Sequence, residues 1–249
     1  METFNSSFVF CLAGLGQRFL DVGISIPKYL LNIDKEGTSL LEESIRSLEI
    51  GKSTFVLLIC NEKHKLYKSE LNSILENFNI NYKILYIGNT NGQANTAFEA
   101  CKELITSKYL KNNPVIFFNG DSILKSRNIN TLILEMGNSD GLIDVFFANK
   151  PCYSFIKTNG KKVINITEKK VISNDATSGL YFFSSPSLYI DKFIEGNFLN
   201  FDSEVYISEM YEYLIKKGLT IKFSKSIDKK DTQILGTPEE YYKFMDSCQ

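Results

Sequence analysis

Glycines and cations near the amino end of the chain have the types and spacing of a phosphate-binding turn. The segment Ala13-Gly14-Leu15-Gly16-Gln17-Arg18 follows the apolar run Phe8 to Leu12, and Pro27-Lys28 comes shortly after it. Backbone N–H groups of a glycine turn after a strand can close around phosphate oxygens, and Arg18 and Lys28 would add positive charge. The pattern predicts a nucleoside triphosphate site. By itself a short glycine motif is equally consistent with a plain strand-to-helix turn.

A single carboxylate, Asp121, comes just beyond the run Val115 to Phe118. That run is apolar enough to be a central strand buried on both faces. Open α/β sheets bind ligands beyond the carboxyl ends of such strands, and carboxylate oxygen is a ligand of Mg²⁺. We favour a magnesium ligand here. The alternative is a turn residue of Asn119-Gly120-Asp121 that hydrogen-bonds its own backbone.

Three other segments carry residues of interest with simpler explanations. Gly51-Lys52-Ser53-Thr54 resembles the end of a P-loop, but Arg46 occupies the place of the first glycine and the segment leads into a strand, so we predict a turn. The only histidine, His64, lies in a Lys/Glu-rich segment, and we expect an exposed helical position that excludes a histidine-based hydrolase. Glu168-Lys169, taken alone, is typical of a solvated turn.

Short apolar runs alternate with amphipathic segments in the first half of the chain, which predicts βαβ units and a mostly parallel sheet. Ser39 and Glu42 have the spacing of a capping box. The predicted elements are strands at 8–12, 54–60, 82–87 and 115–118, and helices at 39–49, around Leu66, Leu71, Ile74 and Leu75, and from Ala94 to Leu104.

The second half has close-set apolar runs, with Asn159-Gly160 as a hairpin turn. We predict strands at 142–148, 153–157, 163–167, 180–183 and 220–224, helices at 186–195 and 203–217 ended by Gly218, and a last helix from Thr237. The expected fold class is α/β: a single Rossmann-like three-layer domain over residues 1–249, with a central mixed, mostly parallel sheet flanked by helices and a small β extension.

Composition excludes several classes of function. Lys and Arg number 28 against 29 Asp and Glu, so the net charge of -1 gives no basic surface for nucleic acid. The 5 cysteines contain no C-x-x-C pair, which argues against a disulfide framework and a zinc site and for reduced, mostly buried thiols. No apolar run approaches the ~20 residues of a membrane span, and no signal region is evident. We expect a cytoplasmic protein.

Taken in order, these segments resemble the sugar-phosphate nucleotidyltransferase family, whose fold is of the glycosyltransferase-A type. The resemblance spans most of the chain, and the order of the motifs makes it specific. The matching motifs are Ala13-Gly14-x-Gly16-x-Arg18 with Pro27-Lys28, Gly92-Gln93, Gly120-Asp121, Glu168-Lys169 before Gly179-Leu180-Tyr181-x-Phe183, and Gly236-Thr237-Pro238-Glu239.

The resemblance implies a role for each motif and Mg²⁺ as cofactor. Residues 1–125 would be the nucleotide-binding half and residues 126–249 the acceptor-binding half. Asp121 would bind the metal, and Arg18, Lys28 and Lys169 would be catalytic. The implied nucleotide-binding residues are Leu12, Ala13, Gly14, Gly16, Gln17, Gly92 and Gln93, and the implied acceptor-binding residues are Glu168, Lys169 and Gly179.

Two departures from the family pattern bear on metal and substrate. Ile234 stands where many members have a second metal-binding aspartate, which leaves Asp231 or Asp228 as a substitute, or Asp121 acting with the triphosphate alone. Cys11-Leu12 and the spacing from Arg18 to Pro27 resemble a bacterial capsule-locus branch that includes cytidylyltransferases. This branch implies CTP as donor and a small phosphorylated acceptor, either a sugar phosphate or a phosphoglutamine-type compound.

Two other functions remain open at this point. A nucleotide-sugar-dependent glycosyltransferase would also place an aspartate after a central strand, but such enzymes usually have Asp-x-Asp where this chain has Asp121-Ser122-Ile123. A non-catalytic nucleotide-binding module would explain the missing second aspartate. Simple binding would not require phosphate ligands from both halves of the chain.

Overall fold

The structure is a computed structural model that describes residues 4–107 and 110–247. The helices are α1 (Gln17–Leu20), α2 (Leu40–Ser47), α3 (Lys68–Glu76), α4 (Gln93–Ile105), α5 (Ile129–Met136), α6 (Pro186–Glu195), α7 (Ile207–Lys216) and α8 (Pro238–Ser247). The strands are β1 (Ser6–Leu12), β2 (Leu48–Glu49), β3 (Thr54–Asn61), β4 (Tyr82–Ile87), β5 (Val115–Phe118), β6 (Ser122–Leu124), β7 (Arg127–Asn128), β8 (Gly141–Phe147), β9 (Phe155–Asn159), β10 (Lys162–Thr167), β11 (Asp175–Phe183), β12 (Ile221–Lys225) and β13 (Thr232–Ile234).

One mixed sheet forms the centre of the fold. Within the described residues its nine strands have the order β4-β3-β1-β5-β11-β8-β12-β10-β9. The first four are parallel to one another, and the pairings that follow leave β10 and β11 as the strands that run opposite to the rest. The predicted mixed, mostly parallel sheet is confirmed. The carboxyl ends of the parallel strands therefore meet at one edge.

Helices cover both faces of the sheet, as the predicted three-layer domain requires. Alternate side chains of β1 lie on opposite faces of the sheet, because successive residues of a strand point in opposite directions. Val9 packs in the cluster that contains α4, α6 and α7, whereas Phe8 and Phe10 pack in the cluster that contains α2, α3 and α5. Residues of β5 divide in the same way, with Phe117 on the first face and Phe118 on the second.

The predicted β extension is the hairpin β9–β10, which turns at Gly160 with a φ of 56°. Phe155 at the start of β9 pairs with Ala176 of β11 and with Thr167 at the end of β10. The hairpin therefore returns the chain to the sheet just before Glu168. A separate two-stranded sheet joins β6 and β13, and its register places Ile234 opposite Ser122.

Several predicted elements need correction. Helix α7 begins at Ile207, whereas the prediction began at Ser203, and α5 was not predicted. The segment before α3 is a 3₁₀ helix, Glu62–Tyr67, in which Leu66 is exposed. The expectation for His64 was wrong, because His64 is buried and Tyr29 lies against it. The division of the domain at residue 125 stays a prediction.

The remaining composition-based expectations concern cysteines and membranes. Cys60 and Cys101 are buried free thiols, Cys11 is partly buried and Cys152 is exposed, while Cys248 lies outside the described residues. Burial raises the pKa of the Cys60 thiol to about 12, so this group stays protonated at neutral pH. Among the described helices, none is both long and apolar enough to cross a bilayer.

Candidate active site

A cavity of about 710 Å³ opens at the edge where the parallel strands end. The turn after β1, Asn89 and Thr90 after β4, and Asn119 and Asp121 after β5 form one side. The segment after β10 and the first turn of α7 form the other side. Chain segments from both predicted halves thus contribute to a single cavity, at the position where α/β sheets bind ligands.

The glycine turn after β1 lines this cavity from Ala13 to Arg18. Gly16 has a φ of 70°, and the backbone hydrogen bonds of the following helix begin with Phe19 N, which donates to Gly16 O at 2.8 Å. The side chain of Leu12 is buried and is absent from the cavity lining, and its nucleotide-binding role stays a prediction. It lies beneath Gly120, where an added Cβ would meet Leu12 Cδ2 at 2.5 Å.

Asn61, the last residue of β3, holds the glycine turn in place. Its buried side-chain amide donates to Ala13 O at 3.2 Å and to Asn89 Oδ1 at 3.1 Å, while its Oδ1 accepts from Lys63 N at 3.0 Å. One side chain therefore ties the ends of three chain segments together beneath the cavity. Sequence analysis did not identify this residue.

Lys28 and Asp121 meet directly at the floor of the cavity. Lys28 Nζ donates to Asp121 Oδ2 at 2.6 Å, and the two side chains are 24% and 13% exposed. Asp121 is further fixed through its backbone oxygen, which accepts from Leu235 N at 2.8 Å. The structure thus brings two residues predicted from motifs 93 positions apart into contact. A cation and a carboxylate are available here for a triphosphate and its metal.

The carboxylates around Asp121 suit a divalent cation bound together with phosphates. Gly236 lies between Asp121 and Glu240: a Cβ on Gly236 would lie 3.1 Å from Asp121 Oδ2 and 3.8 Å from Glu240 Oε2. Mg²⁺ is held by one or two carboxylates plus substrate phosphates, so this donor set fits the ion. Within the described residues no cluster of three or more His, Cys, Asp or Glu forms a metal cage. For an ion bound here, phosphate oxygens of a ligand would have to complete the coordination.

The two substitute ligands considered from sequence lie elsewhere. Thr232 pairs with Leu124, and Asp231 O accepts from Lys125 N at 2.9 Å. Asp231 therefore lies opposite Lys125, which is four residues beyond Asp121. Four residues of a strand span roughly 13 Å. Neither Asp231 nor Asp228 lines the cavity. The register of β13 thus separates Asp231 from Asp121, and a metal-binding role for Asp231 or Asp228 stays a prediction that this geometry disfavours.

Gly92 and Gln93 lie where the two sides of the cavity join. Gly92 has a φ of 93°, and a Cβ there would lie 2.6 Å from Val205 N, so only glycine fits. Ala94 N donates to Val205 O at 3.0 Å and Val205 N donates to Asn91 O at 3.0 Å. Gln93 Nε2 donates to the Asn119 side chain. This amide pair presents donors and acceptors to the cavity beside the glycine turn.

Glu168 is held by two hydroxyl groups rather than lying in a solvated turn. Its Oε2 accepts from Ser154 Oγ and from Ser208 Oγ, the latter at 2.6 Å. Ser154 precedes β9 and Ser208 lies in the first turn of α7, so the carboxylate joins the hairpin to the helix. An oriented carboxylate on this wall can accept from hydroxyl or ammonium groups of a ligand.

Lys169 is oriented by an aromatic and acidic pair. Its Nζ donates to Tyr206 Oη at 2.6 Å and lies 4.2 Å from the centre of that ring, and Tyr206 Oη donates to Glu204 Oε2 at 2.6 Å. Burial lowers the pKa of Lys169, but the Tyr206 hydroxyl and the two neighbouring carboxylates outweigh it, so the pKa lies above its usual value. Lys169 is therefore charged at neutral pH and available to an anionic ligand.

Gly179 supports this wall from β11. Its φ is 86°, and a Cβ would meet Asn119 Nδ2 at 2.8 Å, so the absence of a side chain leaves room for the Asn119 amide. Gly179 is part of the cavity lining, and its acceptor-binding role stays a prediction.

Several lining residues were missed by sequence analysis: Asn89, Thr90, Asn119, Tyr153, Ser154, Glu204, Tyr206, Ser208 and Glu240. Asn89 and Asn119 follow predicted strands, and that position alone was a usable signal. The others come from loops and helix starts whose proximity depends on tertiary packing. No local pattern distinguishes them.

Comparisons with structures of known proteins agree with this architecture. The nucleoside-diphosphate-sugar pyrophosphorylase from Vibrio cholerae RC9 superposes with a TM-score of 0.83 at 27% identity, covering 96% of this chain and 99% of that one. A UDP-glucose pyrophosphorylase in complex with UDP-glucose has a TM-score of 0.75 at 15% identity over 97% of both chains. The inositol-1-phosphate CTP transferase from T. maritima has a TM-score of 0.70 at 14% identity, covering 99% and 96%.

No curated protein sequence matches the chain. The sequence profile described as "Nucleotidyl transferase" matches residues 10–245, which include the glycine turn, Lys28, Asp121, Lys169 and the start of α8. The match covers every residue of the cavity lining described above. The chain belongs to the nucleotidyl transferase family.

Proposed function

We propose that the protein is a Mg²⁺-dependent cytidylyltransferase that transfers CMP from CTP to a small phosphorylated acceptor and releases pyrophosphate. The observation that carries this proposal is the convergence of two sets of phosphate ligands on one cavity. The turn of residues 13–18 with Lys28 lies on one side, and Lys169 lies on the other. A cavity of about 710 Å³ is large enough to hold a nucleotide and a small acceptor together.

In the proposed reaction an oxygen of the acceptor phosphate attacks the α-phosphorus of CTP. The new P–O bond forms as the bond to the β-phosphate breaks, and pyrophosphate leaves. The acceptor phosphate has a second pKa of ~6 and is largely dianionic at neutral pH, so it needs no general base. Catalysis is then positioning and charge stabilisation. The burial of the single histidine away from the cavity lining agrees with such a reaction.

Each cation has a place in this scheme. Arg18 and Lys28 stabilise the negative charge on the triphosphate, and Lys169 holds the acceptor phosphate. Asp121, with Glu240 nearby, would hold Mg²⁺, which neutralises charge on the phosphate oxygens when bound. Lys28 leaves Asp121 and turns to the phosphates when the nucleotide enters.

The proposed donor is CTP. Support comes from the sequence branch around Cys11-Leu12 and from the overall similarity to a CTP transferase from T. maritima. Gln93 and the Asn89 and Asn119 amides supply the donors and acceptors that would bind the base edge.

The proposed acceptor is a phosphoglutamine-type compound, with a sugar phosphate as the second candidate. Glu168 and Glu204 place two carboxylates beside Lys169 on the acceptor wall. Such a wall suits a ligand that carries an ammonium group as well as a phosphate. Glu168 would also accept hydrogen bonds from sugar hydroxyls, and the sugar pyrophosphorylase from V. cholerae favours that class. We further propose a cytoplasmic role in bacterial capsule or surface polysaccharide biosynthesis.

The test is pyrophosphate release from CTP, UTP, GTP, ATP and dTTP, each with Mg²⁺ and each with phosphoglutamine, phosphocholine or a sugar 1-phosphate. Release with CTP and phosphoglutamine supports the full proposal, and release with another pair corrects donor or acceptor. Triphosphate binding without release from any pair favours a non-catalytic binding module. A Glu204→Gln variant should raise the KM of an ammonium-bearing acceptor and leave that of a neutral sugar phosphate unchanged.

A further inference from the structure

A buried polar contact lies directly beneath Lys28. Tyr29 and His64 are 1% and 8% exposed, and Tyr29 Oη lies 3.1 Å from His64 Nδ1. Their rings are 5.7 Å apart at 67°, an edge-to-face arrangement. His64 is the only histidine of the chain, and neither residue lines the cavity.

Lys28 depends on few local contacts. It begins the 3₁₀ helix Lys28–Leu30, a single turn closed by two backbone bonds, from Leu30 N to Pro27 O at 2.8 Å and from Leu31 N to Lys28 O at 3.2 Å. Such a short helix has little stability of its own. The side chain of the adjacent residue, Tyr29, anchors the turn in the interior. The hydroxyl of that anchor needs a polar partner in the interior, where it lies against His64 Nδ1 and the buried Cys60 thiol; of these two groups the imidazole nitrogen is the stronger acceptor.

The segment that carries His64 already organises the phosphate side of the cavity. It begins at Asn61, which holds Ala13 of the glycine turn and caps the 3₁₀ helix Glu62–Tyr67. Four residues, Asn61 to His64, thus contact both the turn that binds phosphate and the segment that carries Lys28. Burial and then the nearby Lys63 charge lower the pKa of His64, so the imidazole is neutral at pH 7 and Nδ1 can accept from the Tyr29 hydroxyl.

We propose that His64 is a positioning residue for Lys28: its contact with the Tyr29 hydroxyl fixes the turn from which Lys28 reaches Asp121 and the triphosphate. The inference rests on the proposed function, because the lysine it positions is the one assigned to charge stabilisation there. A displacement of about 1 Å at a catalytic group can reduce turnover by as much as ~100-fold. Loss of this contact should therefore affect turnover more than binding.

The first experiment needs no activity. The rate at which an amine-reactive acetylating reagent labels Lys28 is measured by peptide-resolved mass spectrometry in the wild type, Tyr29→Phe, His64→Phe and His64→Asn. In the wild type the Asp121 ion pair slows the reaction. We expect labelling of Lys28 to rise roughly three- to tenfold in Tyr29→Phe and His64→Phe and to stay near wild type in His64→Asn, whose amide oxygen can accept the same bond. Lys83 and Lys169 serve as internal references.

A matched control separates positioning from general loss of stability. Tyr211→Phe also removes a buried hydroxyl, one that donates to Phe182 O at 2.6 Å outside the cavity lining. It should lower the melting temperature without changing the labelling of Lys28. Equal labelling of Lys28 in wild type and His64→Phe would overturn the proposal, whether or not the protein proves to be a cytidylyltransferase.

The second experiment is a double-mutant cycle on pyrophosphate release. We expect Tyr29→Phe and His64→Phe each to lower kcat about tenfold, with the triphosphate Kd changed less than about twofold, and to have no further effect in a Lys28→Ala background. His64→Asn should restore kcat. A tenfold loss that persists in the Lys28→Ala background would mean that His64 acts independently of Lys28. An inactive wild type would contradict the proposed function, and the labelling result would then decide the inference alone.

Discussion

The ion pair of Lys28 and Asp121 places a cation and a carboxylate side by side in the cavity. A carboxylate is needed for a metal ion, and a cation is needed for the phosphates that the ion accompanies. In the structure each charge neutralises the other at 2.6 Å, which limits the cost of holding both in a partly buried position. A triphosphate that enters with a bound metal ion would replace this one ion pair with two: Lys28 with the phosphates and Asp121 with the metal.

The Lys28→Ala variant should lose turnover more than nucleotide affinity. The ammonium stabilises charge that develops during transfer, so kcat should fall about 100-fold or more, while the CTP Kd should rise only several-fold. Steady-state pyrophosphate release and nucleotide titration measure the two quantities. Lys83→Ala, which removes a surface ion pair with Glu103, is the matched control and should change neither. An unchanged kcat in Lys28→Ala would rule out the assigned role.

Asp121→Asn should move the Mg²⁺ titration of activity to higher concentration, by at least about tenfold. The physical reason is the loss of a charged oxygen ligand that lies at the cavity floor. Asp231→Asn and Asp228→Asn are the controls, since neither carboxylate lines the cavity. A normal Mg²⁺ titration in Asp121→Asn would place the ion elsewhere.

His64 should make stability depend on pH. Its pKa in the folded protein lies below the ordinary value of 6.5, so the unfolded chain binds the proton at higher pH than the folded protein does. The free energy of unfolding should then fall as pH decreases through about 6.5 towards the folded pKa. Melting temperatures between pH 7 and 5 should therefore fall less steeply in His64→Asn than in the wild type. Parallel curves for the two proteins would contradict this titration.

At the scale of elements, the site depends on junctions between segments distant in sequence. Gly92 at the start of α4 packs against the backbone of Val205, just before α7. At this junction Gln93 follows Gly92 in the chain and Tyr206 follows Val205. The relative position of the side chains proposed to bind the base and the acceptor therefore depends on one glycine.

A Gly92→Ala substitution should disrupt that junction. Alanine would meet the Val205 backbone and adopt an unfavourable φ, so we expect a lower melting temperature together with a higher acceptor KM. Gly218→Ala is the matched control: its φ is 81°, but an added Cβ would meet nothing within 4 Å. It should cost about 1–2 kcal/mol of stability and leave the acceptor KM unchanged. Equal acceptor KM values in the two variants would show that the junction does not position the acceptor wall.

Local patterns predicted the elements well where one chemical signal was sufficient. The strands Tyr82–Ile87 and Val115–Phe118 and the helix Pro186–Glu195 have the predicted bounds, because apolar runs and a Ser-Pro helix start determine them locally. The burial of His64 could not be predicted, since the charged residues around it give no sign that one side chain turns inward. Tyr206, Glu204 and Ser208 form part of the site only through the packing of α7 against the sheet.

At the scale of the whole molecule, both predicted halves surround one cavity. Nucleotide binding should therefore stabilise the entire domain rather than one half. At a CTP concentration of 100 times Kd, with Mg²⁺, the free energy of unfolding should rise by about 2.7 kcal/mol and the melting temperature by roughly 5–10 °C. A single cooperative transition at the higher temperature is expected. Two separate transitions, only one of which shifts, would contradict this coupling.

The bond from Leu235 N to Asp121 O also has a consequence during synthesis on the ribosome. The glycine turn, Lys28 and Asp121 are translated first, whereas Val205 and Leu235 emerge later, the latter 235 − 121 = 114 residues after Asp121. At 5–20 residues per second this interval lasts roughly 6 to 23 s. A chain interrupted before Val205 thus carries the proposed phosphate ligands without the α7 side of the cavity. The cavity lining is complete only once synthesis has passed Glu240.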